Sequence, residues 1–358
     1  MSIEKAYMID SIQQKAKAAG SVLKPATWKE KGLRWSIGMA TFLICLFMLI
    51  LSIYWSRSPS QFDVPDNALQ QITSETGEKA VPGSTTTAAL ITVANTLLDK
   101  PGGFLSNDVM PPSVWLDNMP NWEFGVLVQV RDLARALRND MSRSQSQSLE
   151  DKDLMVAEPQ FSISNTSWMF PSAEGSYSKG IKVLQAYLDR LVDADDTNAQ
   201  FYTRADNLRD WLQIVEKRLG GLSQRLSASV GQMRVNTDLA GDAEATHSTP
   251  TPDDLVIQTP WTKIDDNFFE ARGSAWALLH FLKAIEIDFE PVLRKKNAVI
   301  SLRQIIRELE STQGFIWSPL ILNGSGFGFV ANHSLVMASY ISRANAAIID
   351  LRNLLMDG

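Results

Sequence analysis

The sequence contains very few of the side chains that form disulfides or bind metal ions. It has one cysteine, Cys45, and three histidines, His247, His280 and His333, among 358 residues. A single cysteine excludes a disulfide within the chain, so any exported part must be stabilised by burial alone. The histidines are far apart, and the zinc motif H-E-x-x-H is absent. We therefore expect no cofactor and no metal ion bound by a local motif.

Charged side chains are missing between Arg34 and Arg57. A helix rises 1.5 Å per residue, so about 20 apolar residues cross the roughly 30 Å hydrocarbon core of a bilayer. Trp35 stands at one end of the stretch, and Tyr54 and Trp55 at the other, where aromatic rings favour the headgroup layer. The stretch from Trp35 to Trp55 therefore predicts a transmembrane helix anchored by these three aromatic residues.

Positive charge is concentrated before this stretch. Residues 1–34 carry a net charge of +4, and the remainder carries −10. Lys and Arg beside a membrane helix stay on the cytoplasmic side, which predicts a cytoplasmic tail, an inner-membrane helix and a periplasmic C-terminal part. The alternative is a cleaved signal peptide, but the positive region is long and Pro59 makes a poor cleavage context. The acidic remainder argues against nucleic acid as a partner.

The rest of the chain divides at stretches that are polar or rich in loop-forming residues. Residues 56–84 are rich in Ser, Pro, Asp, Gln and Thr, and predict a tether with partial structure around Asn67 to Ile72. Residues 85–236 and 261–358 predict the two parts of a helical periplasmic domain. Residues 237–260 between them have low hydrophobicity and predict a mobile loop. The spacing leaves open whether the two parts are two domains or halves of one bundle.

Apolar side chains recur every three or four residues in several segments. The longest run is Phe201, Ala205, Leu208, Leu212, Val215, Leu219, Leu222 and Leu226. Such a repeat places one apolar seam on one face of a long helix, for which Asp196 or Thr197 is the expected N-cap. No stretch alternates with the period of a strand. The predicted fold class is all-α: one N-terminal transmembrane helix, then an elongated antiparallel helical bundle with coiled-coil-like heptad seams.

Two aromatic segments are candidate partner-contact sites. The loop NGSGFGF contains Gly326, Phe327 and Phe329, whose aromatic rings either plug the end of the bundle or meet a partner or lipid. This loop lacks the Gly-Lys-Ser/Thr ending of a nucleotide site. Trp115 and Trp122 lie where a loop meets a predicted helix, and either line a glycan groove or anchor the core.

No local motif specifies a catalytic site. SYSK, beginning at Ser176, matches the S-x-x-K pattern of acyl transfer, but its partner motifs K-T-G and S-D-N are absent. A site assembled from distant residues is the alternative, and Glu270, Arg272 and His280 are its candidates. His280 lies in a stretch that is apolar nearly all round its helix, which favours a core histidine.

Two segments resemble a known family. They are DNMPNWEFGVLVQVRD, from Asp117 to Asp132, and FGFVANHSLVMASYISRANAAIIDLR, from Phe327 to Arg352. With the basic tail and the single membrane helix, they resemble bacterial inner-membrane proteins known only as a domain of unknown function, the 2333 family. The resemblance covers nearly the whole chain. It implies a bacterial inner-membrane setting and a helical exported domain, and it transfers no active site.

These features predict a membrane-anchored periplasmic scaffold or adaptor in an envelope protein complex, without catalytic activity. The expected partners are the lipid bilayer and other envelope proteins. The long seam could pair within the chain, which the six separated helical patterns favour, or, as the second choice, with a second copy in a homo-oligomer through the face from Leu208 to Leu226. One alternative is an envelope enzyme acting on cell wall or lipid through the distant residues above. Another is a transmembrane sensor, which would need a cytoplasmic partner because the tail has no recognisable output domain.

Overall fold

The computed structural model is all-α, as predicted, apart from one two-stranded sheet among the residues that it describes. The described residues are 32–73, 81–144, 149–193, 199–236, 252, 254–318, 320–325 and 328–356. The chain forms two compact units that meet between Trp55 and Ser56.

The first unit contains one described helix, α1 (Leu33–Trp55). None of its residues is buried within the protein, and its most apolar 18-residue stretch has a mean hydropathy of 2.5. A helix of 23 residues is about 34 Å long, enough to span the hydrocarbon core of a bilayer. Trp35, Tyr54 and Trp55, the predicted anchors, lie at its two ends. A signal sequence near an N-terminus would satisfy the same criteria of length and composition.

The second unit is built from helices and one hairpin. The hairpin lies between the sixth and seventh helices of this unit and consists of the antiparallel strands β1 (Gln232–Val235) and β2 (Asp254–Ile257). The helices are α2 (Val64–Thr73), α3 (Ser84–Asp99), α4 (Asn118–Ala136), α5 (Lys152–Phe161), α6 (Ala173–Val192), α7 (Ala205–Ser227), α8 (Ile264–Asp288), α9 (Glu290–Lys295), α10 (Val299–Ser311) and α11 (His333–Met356).

Helix α8 lies at the centre of the second unit. Residues 273–282 are all buried, as expected for a helix that is apolar nearly all round. It packs against α2, α3, α4, α7, α10 and α11. Because these helices come from both sides of residues 237–260, both predicted parts of the helical region contribute to one core.

Helices α4 and α8 approach each other closely at two glycines. A Cβ atom on Gly125 would lie 2.1 Å from the carbonyl oxygen of Glu270, and one on Gly273 would lie 2.0 Å from that of Trp122. Both distances are far below van der Waals contact. The hydroxyl of Ser274 donates a hydrogen bond to the Gly125 carbonyl at 3.0 Å. This crossing therefore depends on the absence of side chains at the two glycines.

The apolar seams face the core, as their spacing predicts. Helix α7 packs against α11, so its seam is occupied within the chain rather than left free for a second copy. The buried seam residues of these two helices are Leu208, Leu212, Val215, Leu219, Leu222 and Leu226 in α7, and Met337, Ile341, Ala344, Ile348, Leu351 and Leu355 in α11.

Three local features differ from the expectations. Helix α7 begins at Ala205, so the expectation of an N-cap at Asp196 or Thr197 is wrong; both of those residues lie outside the described ones. Strands β1 and β2 occur where no strand was expected, because four-residue strands are too short to reveal alternation. Helix α2 contains Asn67 to Ile72, where partial structure was predicted, but it is a regular helix that packs against α3 rather than part of a loose tether.

Candidate functional site

Two adjoining cavities lie where α8 meets the segment after α10. The start of α11 completes the first cavity, and residues 56–58 line the second. The first, the aromatic cavity, has a volume of about 470 Å³ and mostly apolar walls. Its principal lining residues are Phe268, Arg272, Thr312, Phe315, Trp317, Leu322, His333, Met337 and Tyr340. Its volume falls within the range of small-molecule sites, which are concave and mainly apolar with a few polar groups.

Exposed aromatic rings form part of the wall of the aromatic cavity. Phe315 is 79% exposed and Trp317 is 90% exposed. Their ring centroids lie 5.2 Å apart with the planes at 85°, the edge-to-face arrangement that aromatic pairs prefer. Large aromatic side chains left in water beside a cavity are typical of a binding surface rather than of a packed core.

His333 fixes the opposite wall of the aromatic cavity. The backbone N–H of Leu322 donates to His333 Nδ1 at 3.1 Å, and the His333 N–H donates to the Leu322 carbonyl at 3.0 Å. Because Nδ1 accepts, the neutral imidazole carries its proton on Nε2. The His333 ring also lies 6.4 Å from that of Phe268. The imidazole thus holds the segment at Leu322 against the first turn of α11.

Arg272 lines both cavities. Its guanidinium donates hydrogen bonds to the backbone carbonyls of Thr312, Gln313 and Gly314 at 3.3, 3.1 and 3.0 Å. Burial lowers the pKa of Arg272 from its ordinary value. No carboxylate among the described residues forms an ion pair with it, so its positive charge is balanced only by neutral dipoles.

The second cavity, the polar cavity, has a volume of about 590 Å³. Arg57, a second arginine without an ion pair in the described part of the chain, lines it beside Asp265. Burial and the negative charge of Asp117 raise the pKa of Asp265. The two cavities share four lining residues: Arg272, Phe315, Ile316 and Ser318. Its remaining lining residues are Ser56, Ser58, Asn118, Phe269, Leu320 and Ile321.

The three residues suggested for a distant catalytic site do not converge. Glu270 forms an ion pair with Arg225, with N–O distances of 2.6 and 2.7 Å. His280 is buried ten residues further along the same helix, which is about 15 Å along the axis. Only Arg272 reaches the cavities. Helix α8 therefore places the three side chains in separate surroundings.

His280 connects the segment after α1 to α8. Its Nδ1–H donates to the Trp276 carbonyl at 2.7 Å, and its Nε2 accepts from the backbone N–H of Phe62 at 3.2 Å. The imidazole stacks on the Phe62 ring with the centroids 4.0 Å apart. Burial, and to a smaller degree the positive charge of Lys283, lowers the pKa of His280 to about 4. The neutral imidazole therefore donates one of these hydrogen bonds and accepts the other.

Protonation of His280 is expected to destabilise the protein. The folded-state pKa of about 4 lies below the ordinary value of 6.5, so the unfolded chain takes up the proton at a higher pH. The stabilising contribution is fully present above pH 6.5 and is lost as the pH falls towards 4. The total loss should be roughly 3 kcal/mol.

Urea unfolding of the full chain in detergent, followed from pH 7.5 to 4.5, measures this loss. His280→Gln keeps a neutral polar side chain and cannot take up the proton. The difference in unfolding free energy between wild type and this variant should therefore shrink as the pH falls. A difference that stays constant over this range would contradict the prediction.

The candidate contact residues lie in different places. Trp122 is fully buried, with its ring centroid 5.3 Å from that of Trp276, so its ring is not at the surface. Trp115 and Phe329 are exposed, and neither is among the lining residues of the two cavities. Gly326 and Phe327 lie outside the described residues.

Sequence reasoning missed most of the cavity walls. The available signal was the uncharged stretch GFIWSPLIL, residues 314–322, whose aromatic residues do not follow the spacing of a helix. Phe268 and Tyr340 gave no signal of their own, because each fits the apolar pattern of its helix.

The family described as "Uncharacterized protein conserved in bacteria (DUF2333)" matches residues 28–358. No curated protein and no solved structure matches the chain.

Proposed function

Because the chain belongs to this bacterial family and carries one helix able to span a membrane, we propose that it is a membrane-anchored adaptor of the bacterial envelope. In this proposal α1 crosses the inner membrane, residues 1–34 lie in the cytoplasm and residues 56–358 lie in the periplasm. The net charge of +4 before the helix and −10 after it supports this orientation.

The observation that carries the adaptor role is an exposed apolar loop, residues 109–115, before α4. Large apolar side chains that cluster on a surface indicate an interaction site, and tryptophan is enriched at the centres of protein interfaces. Trp115 in this loop is 66% exposed. The exposed large apolar residues of the loop are Val109, Met110, Val114 and Trp115.

The charges beside this loop favour a protein partner over a membrane surface. Exposed Asp108 and Asp117 flank it on either side. Bacterial and other membranes that contain anionic lipids repel such carboxylates and attract basic segments. A protein surface with an apolar patch and nearby basic side chains is complementary to the loop. We therefore assign the loop to contact with another envelope protein.

A photo-crosslinking amino acid at Trp115, placed in the full chain in living cells, should capture specific envelope proteins. The matched control is Ile300 on α10, an apolar residue that is 78% exposed and lies outside the loop. Crosslinked bands should appear with the probe at Trp115 and be absent or much weaker at Ile300. Recovery of only uncrosslinked monomer at both positions would contradict the adaptor role.

The orientation is measured in the same cells with a reporter fused after Gly358. A reporter that is active only outside the cytoplasm should give a signal, since the C-terminus follows α1 on the periplasmic side. A silent reporter of this kind, together with an active cytoplasmic one, would contradict the orientation without affecting the crosslinking result.

A further inference from the structure

The two adjoining cavities differ in chemistry although they share a wall. The aromatic cavity is lined mainly by rings and aliphatic side chains, whereas the polar cavity combines apolar residues with the guanidinium of Arg57, the carboxylate of Asp265 and the amide of Asn118. The shared wall includes Arg272 and Phe315. A single ligand that occupies both cavities must therefore have one apolar part and one polar part.

The charges of the lining residues favour a negatively charged polar part. Arg57 and Arg272 are cationic, Asp265 is the one acidic residue among the lining side chains, and no ion pair joins them in the described part of the chain. A half-buried guanidinium is stabilised by an anion, and its planar set of N–H donors matches the oxygens of a phosphate. An anionic group in the polar cavity would supply the counter-charge that Arg272 lacks.

Three lining residues of the polar cavity, Ser56, Arg57 and Ser58, directly follow Trp55, the last residue of α1, in the sequence. Three residues span at most about 11 Å, so these residues are joined to the helix end by a short length of chain. If α1 spans a membrane, as proposed above, its end lies at the level of the lipid headgroups. The inference that the ligand comes from the membrane therefore rests on the proposed function. The chemistry of the cavities does not depend on it.

We propose that the two cavities bind one molecule of an anionic phospholipid. Its phosphate contacts Arg57 and Arg272 in the polar cavity. One acyl chain enters the aromatic cavity between Phe268, Trp317 and Tyr340. The exposed rings of Phe315 and Trp317 cover the part of the acyl chain that passes between the two cavities.

The test is native mass spectrometry of the purified full chain in detergent micelles that contain phosphatidylglycerol and phosphatidylcholine with identical acyl chains. Both lipids carry a phosphate, but the choline cation of phosphatidylcholine would be repelled by Arg57 and Arg272, so wild type should retain one phosphatidylglycerol in at least about tenfold preference over phosphatidylcholine. Equal retention of the two lipids would overturn the proposal, since lipids bound non-specifically around α1 would give that result.

Matched variants separate the site from the rest of the surface. Arg57→Gln and Trp317→Ala change exposed side chains. Arg57→Gln should reduce the preference for phosphatidylglycerol about tenfold, and Trp317→Ala should reduce the retention of both lipids about tenfold, because their acyl chains are identical. Arg307→Gln and Trp115→Ala change an exposed arginine and an exposed tryptophan that line neither cavity, and should leave both the preference and the retention unchanged. The same loss in both pairs of variants would overturn the assignment of the ligand to these cavities.

Two further measurements fix the class of ligand. Asp265→Asn removes the negative charge from the polar cavity and should increase retention of phosphatidylglycerol. Glycerol phosphate, which has the phosphate but no acyl chain, should not displace the lipid at equal concentration; displacement would indicate a site for a soluble phosphate instead. The micelle experiment needs neither an envelope partner nor a defined orientation, so its failure is distinguishable from failure of the adaptor role.

Discussion

Replacing Gly273 by alanine should lower the free energy of unfolding by at least about 3 kcal/mol, because the new methyl group would meet the backbone of α4. Its Cβ would lie 2.0 Å from the carbonyl oxygen of Trp122 and 2.9 Å from the carbonyl carbon. A flexible side chain could move aside, but a helix backbone can yield only if α4 and α8 separate. Gly125→Ala should have a similar effect, since its Cβ would lie 2.1 Å from the Glu270 carbonyl oxygen.

Urea unfolding of the full chain in detergent measures this loss of stability, because the urea concentration at the midpoint and the slope of the transition give the free energy of unfolding. The matched control is Gly221→Ala in α7, where the glycine is exposed and a Cβ would meet nothing within 4 Å. This control should be stabilising by about 0.5 to 1 kcal/mol, because alanine has the higher helix propensity. Equal midpoints for Gly273→Ala and Gly221→Ala would show that α4 and α8 do not cross this closely.

The second large effect is expected at Glu123, whose side chain is fully buried in α4. Its carboxylate accepts from the backbone N–H groups of Leu105 and Ser106 at 2.8 Å each, and from the Ser106 hydroxyl at 2.5 Å. It also forms an ion pair with buried Lys100. Burial raises the pKa of Glu123, whereas Lys100 and the donors of Ser106 and Leu105 oppose that rise. Since every partner is a donor, the geometry favours the ionised carboxylate.

Glu123→Gln should cost about 3 to 5 kcal/mol, because it leaves the Lys100 ammonium buried without a counter-charge. Adding Lys100→Met removes that charge and should recover at least about 1 kcal/mol, a coupling that a double-mutant cycle measures. The control is Glu290→Gln in the exposed ion pair with Arg294, which should change stability by less than about 1 kcal/mol. Equal losses for Glu123→Gln and Glu290→Gln would contradict the prediction.

The helical core could be predicted because burial on one face imposes a period on the sequence. Leu208, Leu212 and Val215 continue a spacing of three and four residues, and each is buried in α7. The sequence does not show which face of α8 points to the core, because apolar residues lie on all its faces. The apolar character around His280 nevertheless predicted a core histidine, and that residue is buried.

The cavities could not be predicted because segments far apart in the sequence build them. Phe268 belongs to α8, Trp317 to the segment that follows α10, and Tyr340 to α11. No spacing rule connects these positions. Arg272 was a catalytic candidate only in combination with Glu270 and His280. Its role in the cavity walls depends on the turn after α10, whose carbonyls accept its hydrogen bonds. Such tertiary contacts leave no periodic pattern in the sequence.

The pairing of α4 with α8 and of α7 with α11 also constrains how the protein is made. In both pairs the second helix begins about 130 to 145 residues after the first begins, a length of chain that takes roughly 6 to 30 s to synthesise. During that time the apolar faces of α4 and α7 lack their partners and can bind other unfolded chains. A chaperone that covers apolar helix faces until the last helix has been synthesised would therefore raise the yield of folded protein.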